Sequence, residues 1–249
     1  AEEAEEAEEE PGGEWEWRCK YKGYEARFKD DYVLRVAPQC PGLPPLALSQ
    51  AAVASKAHGA AAAAGAAGDD PGATGSTVWD AGVALGMHLS RPEAWARLGS
   101  LNGGRPVRRV VELGAGTGVA GLCCAAAAAA GVEGAPEEVV LTELPAVLDF
   151  LIRNVRRNEA SGALDPSRCA VRAAPLVWGT AEAAGARAGL CGGDETPEAP
   201  AVCVIGADLL YRDAMAEPLA EALEALLPSP GGVAVLAVDT DHRPSAGAR

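Results

Sequence analysis

The sequence predicts a Rossmann-like α/β fold, a doubly wound and mostly parallel sheet. Three stretches carry this prediction. Residues 109–121 form a short apolar run that enters a glycine turn and opens a helix. Residues 139–143 and 201–206 are further apolar runs of strand length, as expected of central parallel strands whose two faces are both buried. Helical patterns separate the three runs, so the strands should lie parallel and deliver their carboxyl ends to one edge of the sheet.

The glycine turn is the first candidate site. Gly114, Gly116 and Gly118 lack a Cβ atom, so the backbone can bend tightly there and approach a ligand. The helix that follows presents its unpaired N–H groups and the positive end of its dipole to the turn. The string from Gly116 to Gly121 also satisfies the dinucleotide pattern G-x-G-x-x-G, which is a weak signal by itself. The turn therefore predicts a nucleotide-like cofactor without deciding which one.

Glu112 favours one of the two cofactor classes that use this geometry. It lies two residues before the first glycine, where a carboxylate would repel a pyrophosphate at short range. S-adenosylmethionine has no phosphate and carries an ammonium and a sulfonium, so a neighbouring carboxylate suits it. A helix-end or surface carboxylate is the alternative interpretation. We expect S-adenosylmethionine, with Glu112 beside the amino group of its methionine part.

Composition narrows the range of partners. The net charge of the 249 residues is −14, but seven glutamates lie among the first ten, and without them it is −7. Neither value, nor any Lys/Arg-rich run, favours a nucleic-acid groove. The seven cysteines form no C-x-x-C pair, which favours a reduced, cytoplasmic protein over a disulfide scaffold or a zinc site. No metal is expected, and no apolar run is long enough to span a membrane.

The expected organisation has four parts. Residues 1–13 are an acidic tail that should stay disordered, and residues 14–45 alternate enough to suggest a hairpin. Residues 46–75 are rich in Ala, Gly and Ser and read as a low-complexity insertion. The cofactor-binding domain then covers 76–249, with a second insertion near 180–200.

The end of the domain holds a helix and a fifth strand. Met215 and four leucines follow helical spacing and are assigned to the core, and the strand is expected at residues 233–238. Only eleven residues follow Val238, too few for a further pair of strands. The sheet is therefore expected to lack its last strands.

Four strings resemble one family. They are V-W-D-A at 78–81, V-V-E-L-G-A-G-T-G at 110–118, the run from Leu141 to Asn158, and G-A-D-x-x-Y at 206–211. Together they resemble the seven-β-strand S-adenosylmethionine-dependent methyltransferases, specifically the protein-lysine branch that carries a D-x-x-Y signature. The resemblance covers about residues 75–243 and is weak between the four strings.

The resemblance implies roles for the cofactor-binding residues. Glu143, at the end of the second strand, would accept the ribose hydroxyls, although Asp is commoner there in the branch and a helix-start carboxylate is the alternative. Trp79 would cover the methionine end of the cofactor, although a core anchor is the better interpretation from the residue alone. Leu144 and Ala207 would flank the cofactor, while Trp178 would border its adenine pocket.

The same resemblance places Asp208 and Tyr211 against the incoming nucleophile. The alternative is that Asp208 caps a turn and Tyr211 packs. If these implied roles hold, the protein is expected to transfer a methyl group from S-adenosylmethionine to a lysine of another protein. Two other classes stay open: an NAD-dependent oxidoreductase, which leaves Glu112 and the D-x-x-Y string unexplained, and a catalytically inactive interaction protein that keeps the fold.

Overall fold

The computed structural model describes residues 30–36, 40–50, 75–180, 185–192, 201–227 and 232–238. Its strands in chain order are β1 (Asp31–Leu34), β2 (Leu46–Ser49), β3 (Val107–Leu113), β4 (Glu138–Glu143), β5 (Ala170–Pro175), β6 (Ala201–Ala207) and β7 (Val233–Ala237). Its helices are α1 (Asp80–Leu89), α2 (Pro92–Leu101), α3 (Val119–Ala129), α4 (Leu148–Ala160), α5 (Arg187–Cys191) and α6 (Ala216–Leu226), with a 3-10 turn at Asp213–Met215.

Five of these strands form a parallel sheet in the order β5-β4-β3-β6-β7. The predicted α/β class is confirmed. From β3 the chain first builds outward through β4 and β5, then returns to the other side of β3 to add β6 and β7. This reversal opens a crevice at the carboxyl ends of β3 and β6, which is where open α/β sheets bind their ligands.

Helix α1 packs closely against α3 because two glycines lie on its contact face. A Cβ atom on Gly82 would come within 2.8 Å of Val119 Cγ1, and one on Gly86 within 2.8 Å of Cys123 Sγ. Such distances are shorter than carbon atoms tolerate, so larger residues would push the two helices apart. The close packing fixes the start of α1, and with it Trp79, beside the glycine turn.

The N-terminal strand pair differs from the prediction. β1 pairs antiparallel with β2, with Asp31 opposite Ser49 and Leu34 opposite Leu46, so the partner of β1 lies beyond residue 45, the end of the predicted hairpin segment. The assignment of residues 46–49 to a low-complexity insertion is wrong. Leu46 and Leu48 are fully buried, and the alternation with Ala47 and Ser49 is a strand pattern that the alanine-rich composition obscured.

Other boundaries need smaller changes. Helix α2 was not predicted, although Pro92 at its first position is a helix-start signal. The short helix α5 lies inside the predicted insertion at 180–200. The acidic tail at 1–13, most of the predicted hairpin and residues 51–74 lie outside the described residues. Among the helices in the described ranges, none combines the length and apolarity needed to cross a membrane.

Candidate active site

A cavity of about 480 Å³ opens at the carboxyl ends of β3, β4 and β6. Its volume is in the range of small-molecule and cofactor sites, about 300–1,000 Å³. Sequence reasoning predicted eleven site residues, and ten of them line this cavity. They are Trp79, Glu112, Gly114, Gly116, Glu143, Leu144, Trp178, Ala207, Asp208 and Tyr211.

The exception is Gly118, which caps α3 with a φ of 85° instead of lining the cavity. A Cβ atom there would come within 2.7 Å of Leu151 Cδ1. Gly116 is equally constrained, with a φ of 55° and only 2.8 Å between an added Cβ and the carbonyl oxygen of Gly75. These two glycines are required because the protein packs against its own turn, a reason that the sequence did not reveal.

The third glycine of the G-x-G-x-x-G match has a separate explanation. Gly121 donates its N–H to Glu112 Oε2 at 2.8 Å, and a Cβ atom on Gly121 would lie 2.6 Å from that oxygen. The nearest atom to such a Cβ would be Cδ2 of Leu141 on β4, so Gly121 lets α3 pack closely on the sheet and also makes room for the Glu112 carboxylate. The third glycine of the pattern is thus required in this chain by contacts within the protein.

Glu112 has two roles in the structure. Only 3% of it is exposed, and its contact with Gly121 satisfies one of the N–H groups that the start of α3 leaves unpaired. It thus serves as a helix-end carboxylate and also lines the cavity. Burial raises the pKa of Glu112 to about 8, the Gly121 hydrogen bond opposes this rise, and the negative charge of Glu143 adds to it.

Glu143 ends β4 and lies 7% exposed on the same wall. Its Oε2 accepts the N–H of Gly116 at 2.7 Å, and its Oε1 accepts the N–H of Leu144 at 2.7 Å. Burial raises the pKa of Glu143, although both hydrogen bonds oppose the rise. Each carboxylate oxygen has a second lone-pair direction, so Glu143 can accept ligand hydroxyls while it holds the turn.

No Arg or Lys among the described residues forms an ion pair with Glu112 or Glu143. In their ionised forms, these two buried carboxylates, without a neighbouring cation, create a negative potential inside the cavity. This wall fits a ligand that brings hydroxyls and a positive charge. It disfavours a pyrophosphate at the same place.

Two half-buried tryptophans contribute aromatic surface to the cavity. Trp79 is the N-cap residue of α1 and faces the cavity instead of anchoring the core, the interpretation favoured from the residue alone. Trp178 lies against the glycine turn, since a Cβ atom on Gly114 would be 3.3 Å from its Cζ2. The remaining wall between them is largely apolar, with Leu144, Val147 and Leu176. Such surface suits a flat adenine ring.

Asp208 and Tyr211 lie at the mouth, directly after β6. Asp208 has a φ of 53°, in the left-handed region that Asp and Asn tolerate better than other non-glycine residues. Its N–H donates to the carbonyl oxygen of Ala237 at 2.9 Å, which ties the segment to β7. Tyr211 is 48% exposed, and the guanidinium of Arg212 lies 5.7 Å from the centre of its ring.

Sequence reasoning missed several lining residues. Met215 was assigned to the core, but it is half-buried in the 3-10 turn and lines the cavity, together with Pro218 in the first turn of α6. The helix-start proline, seven residues after the end of the D-x-x-Y string, could have signalled that this segment returns to the site. Thr117 and Gly75 also line the cavity, and no local pattern points to them.

A parallel sheet of this order, with buried carboxylates beside a glycine turn, is the arrangement of the Rossmann-like methyltransferases. The chain belongs to the lysine methyltransferase family, which matches residues 67–245. The methyl donor of this class is S-adenosylmethionine, and the donor set of the cavity fits it.

The chain is also similar to an individual protein, the protein N-lysine methyltransferase METTL21A of Danio rerio. The two are 31% identical over 161 residues, which cover 65% of this chain and 58% of that relative. The chain therefore spans less than two thirds of the relative's length.

Proposed function

We propose that this chain transfers a methyl group from S-adenosylmethionine to the side-chain amine of a lysine in a protein substrate. One observation carries the proposal. A single cavity joins Glu112 and Glu143, which suit a cationic ribose-bearing cofactor, to Asp208 and Tyr211 at its mouth. Membership of the lysine methyltransferase family supports the choice of lysine as the acceptor.

The residues have separate tasks in this proposal. Glu143 holds the ribose hydroxyls, Glu112 faces the amino group of the methionine part, and Trp178 borders the adenine. When bound, S-adenosylmethionine supplies an electrophilic methyl group on a positively charged sulfur. The protein then has to position an amine in line with that methyl group, and no further covalent chemistry is required of its side chains.

A lysine must lose a proton before it can attack. Its ordinary pKa is about 10.4, so the neutral amine at pH 7 costs about 4–5 kcal/mol at about 1.36 kcal/mol per pH unit. The mouth of the cavity lowers this cost through apolar surface, because burial disfavours the charged form of the amine. Val177 and Leu210 are exposed at 40% and 41%, and together with Tyr211 they surround the entrance.

Asp208 acts in the opposite direction on the lysine pKa, since a nearby carboxylate favours the ammonium form. Its role in the proposal is to attract and align the lysine while Tyr211 frames the channel. The variant Asp208→Asn separates this role from backbone conformation. Asn tolerates the left-handed φ as well as Asp does, so the fold should be kept while the charge is lost.

The test is methyl transfer from isotopically labelled S-adenosylmethionine to a protein extract, followed by complete hydrolysis and measurement of label in methyl-lysine. The unaltered chain should produce labelled methyl-lysine. Asp208→Asn should keep its cofactor affinity, lose most transfer at neutral pH and recover only partly as the pH rises. A titration with NAD should show no binding.

Other outcomes contradict particular parts of the proposal. Binding of S-adenosylmethionine without any transfer would identify an inactive interaction protein, and label in another amino acid would overturn the choice of lysine. Full recovery of Asp208→Asn at high pH would make Asp208 the proton acceptor. Unchanged methyl transfer by Asp208→Asn at every pH would mean that the D-x-x-Y segment has only a structural role.

A reducing, cytoplasmic setting is part of the proposal. The six cysteines within the described ranges are buried and free of disulfides. Burial raises the pKa of Cys40 and of Cys191 to about 11, so neither carries an appreciable thiolate fraction at neutral pH. Such thiols support a protein kept in a reducing compartment.

A further inference from the structure

Two asparagines of α4 bind the outer edge of β2. Asn158 Nδ2 donates to the carbonyl oxygen of Ala47 at 2.9 Å, and Asn158 Oδ1 accepts the N–H of Ala47 at 2.8 Å. One helical turn earlier, Asn154 Oδ1 accepts the N–H of Ser49 at 2.7 Å, and its Nδ2 donates to Ser49 O at 3.1 Å. Both asparagines are fully buried. Their amides therefore take the place of a neighbouring strand along this edge of β2.

Asn154 makes one contact that Asn158 does not make. Its Nδ2 also donates to the carbonyl oxygen of Thr117 at 3.0 Å. Thr117 is 1% exposed and lines the cavity between two glycines of the turn. Thr117 precedes Gly118, the N-cap residue, so its carbonyl lies outside the hydrogen-bond ladder of α3, and the N–H of Gly121 donates to Glu112. Asn154 thus supplies a hydrogen-bond partner to the glycine turn just before α3 begins.

The residue after β2 binds the segment that leads into α1. Gln50 is 4% exposed, and its Oε1 accepts the N–H of Val78 at 3.1 Å. Val78 directly precedes Trp79, which lines the cavity. β2 is therefore connected to two segments that line the cavity, to the glycine turn through Asn154 and to the tryptophan segment through Gln50.

The family match begins at residue 67, so β1, β2 and Gln50 all lie before it. We propose that Asn154 is a positioning residue for cofactor binding, which holds the Thr117 carbonyl in place by connecting it to β2. The N-terminal strand pair is then part of the cofactor site. The identity of the cofactor rests on the proposed function.

Asn158 offers a matched control, because it is equally buried and binds the same strand without contacting the turn. The experiment compares Asn154→Ala with Asn158→Ala in the full chain, using S-adenosylhomocysteine as the probe and titration calorimetry below the melting temperature. Both variants should lower Tm. Asn154→Ala should also weaken binding about five- to tenfold, the effect of about one hydrogen bond. Asn158→Ala should stay within about twofold of the unaltered protein.

A second measurement needs no substitution and covers the case in which Asn154→Ala does not fold. Saturating S-adenosylhomocysteine should slow amide hydrogen exchange at Ser49, whose N–H is bonded to Asn154, more than at Ala47, whose N–H is bonded to Asn158. Equal slowing at the two amides, or none, would overturn the inference, as would equal affinities of the two variants. Absence of binding by the unaltered chain would instead overturn the proposed cofactor.

Discussion

Strand β4 begins and ends with a glutamate. The two carboxylates have different hydrogen-bond partners, and their pKa values are shifted in opposite directions. Glu138, at the amino end, accepts hydrogen bonds from Arg109 and from Arg172 on the two neighbouring strands. Burial by itself would raise the pKa of Glu138, but the two arginines lower it below the ordinary value. Glu143, at the carboxyl end, receives only backbone N–H groups, and burial raises its pKa.

The difference separates a structural carboxylate from one kept for a ligand. At the amino end two arginines of the sheet itself pair with the carboxylate, so its charge needs no ligand. At the carboxyl end, Glu112 and Glu143 are buried close enough to interact, and the described residues supply no ion-pair partner. A cationic ligand would supply the positive charge that the carboxylates at this end of the sheet lack. The following variants test the comparison, from the largest expected effect to the smallest.

Glu143→Ala should have the largest effect, on cofactor binding. It removes the acceptor for ligand hydroxyls and the support of the Gly116 N–H, and hydrogen bonds to a charged group are worth about 1.5–3 kcal/mol each. We expect a loss of at least about a hundredfold in S-adenosylmethionine affinity by calorimetry. Glu138→Ala, at the other end of β4, is the control and should bind normally. Unchanged affinity in a folded Glu143→Ala protein would remove Glu143 from the site.

Glu112→Gln should change how stability depends on pH. A carboxyl whose pKa is raised in the folded state keeps its proton where the unfolded chain has lost it, so its contribution to stability falls as pH rises. The window runs from the ordinary value of 4.5 to about 8. Between pH 5.5 and 7.5 the cofactor-free protein should lose about 2–3 kcal/mol through this group.

Denaturant unfolding at several pH values measures the Glu112 effect. The loss of folding stability between pH 5.5 and 7.5 should be much smaller in Glu112→Gln, since an amide does not titrate. In Glu138→Gln, the matched change at the other end of the sheet, the loss should remain. An identical pH dependence in the unaltered protein and in Glu112→Gln would show that Glu112 is ionised in the fold.

Glu138→Gln should have the smallest effect. Partly exposed ion pairs contribute about 0–1 kcal/mol, so the loss of stability at neutral pH should stay within that range. The pKa of Glu138 is lowered in the fold, so its contribution is present above the ordinary value of 4.5 and is lost as pH falls through the folded pKa. Acid unfolding should therefore be less steep in the variant. A drop in cofactor affinity would contradict the separation of the two ends.

Local patterns predicted the parallel sheet, the glycine turn and the acids at the strand ends, while the resemblance to one family added Trp79, Trp178 and Tyr211. A continuous apolar run specifies a central strand, and the residue that follows a parallel strand lies at the ligand-binding edge whatever the rest of the chain does. Glu112, Glu143 and Asp208 were found in this way. Their positions in the structure agree with the prediction, while their individual roles await the variants proposed above.

Only the tertiary structure decided which groups support that edge. Ser49 and Asn154 are 105 residues apart, and nothing near Asn154 in the sequence indicates that it also meets Thr117. Packing likewise explains three glycines. The missing Cβ atoms of Gly116 and Gly118 make room for Gly75 and Leu151, and that of Gly121 makes room for Leu141 and Glu112. A local pattern specifies the strand and the residue at its end. Contacts between distant segments depend on how the whole chain folds, and they are what hold the cofactor turn in place.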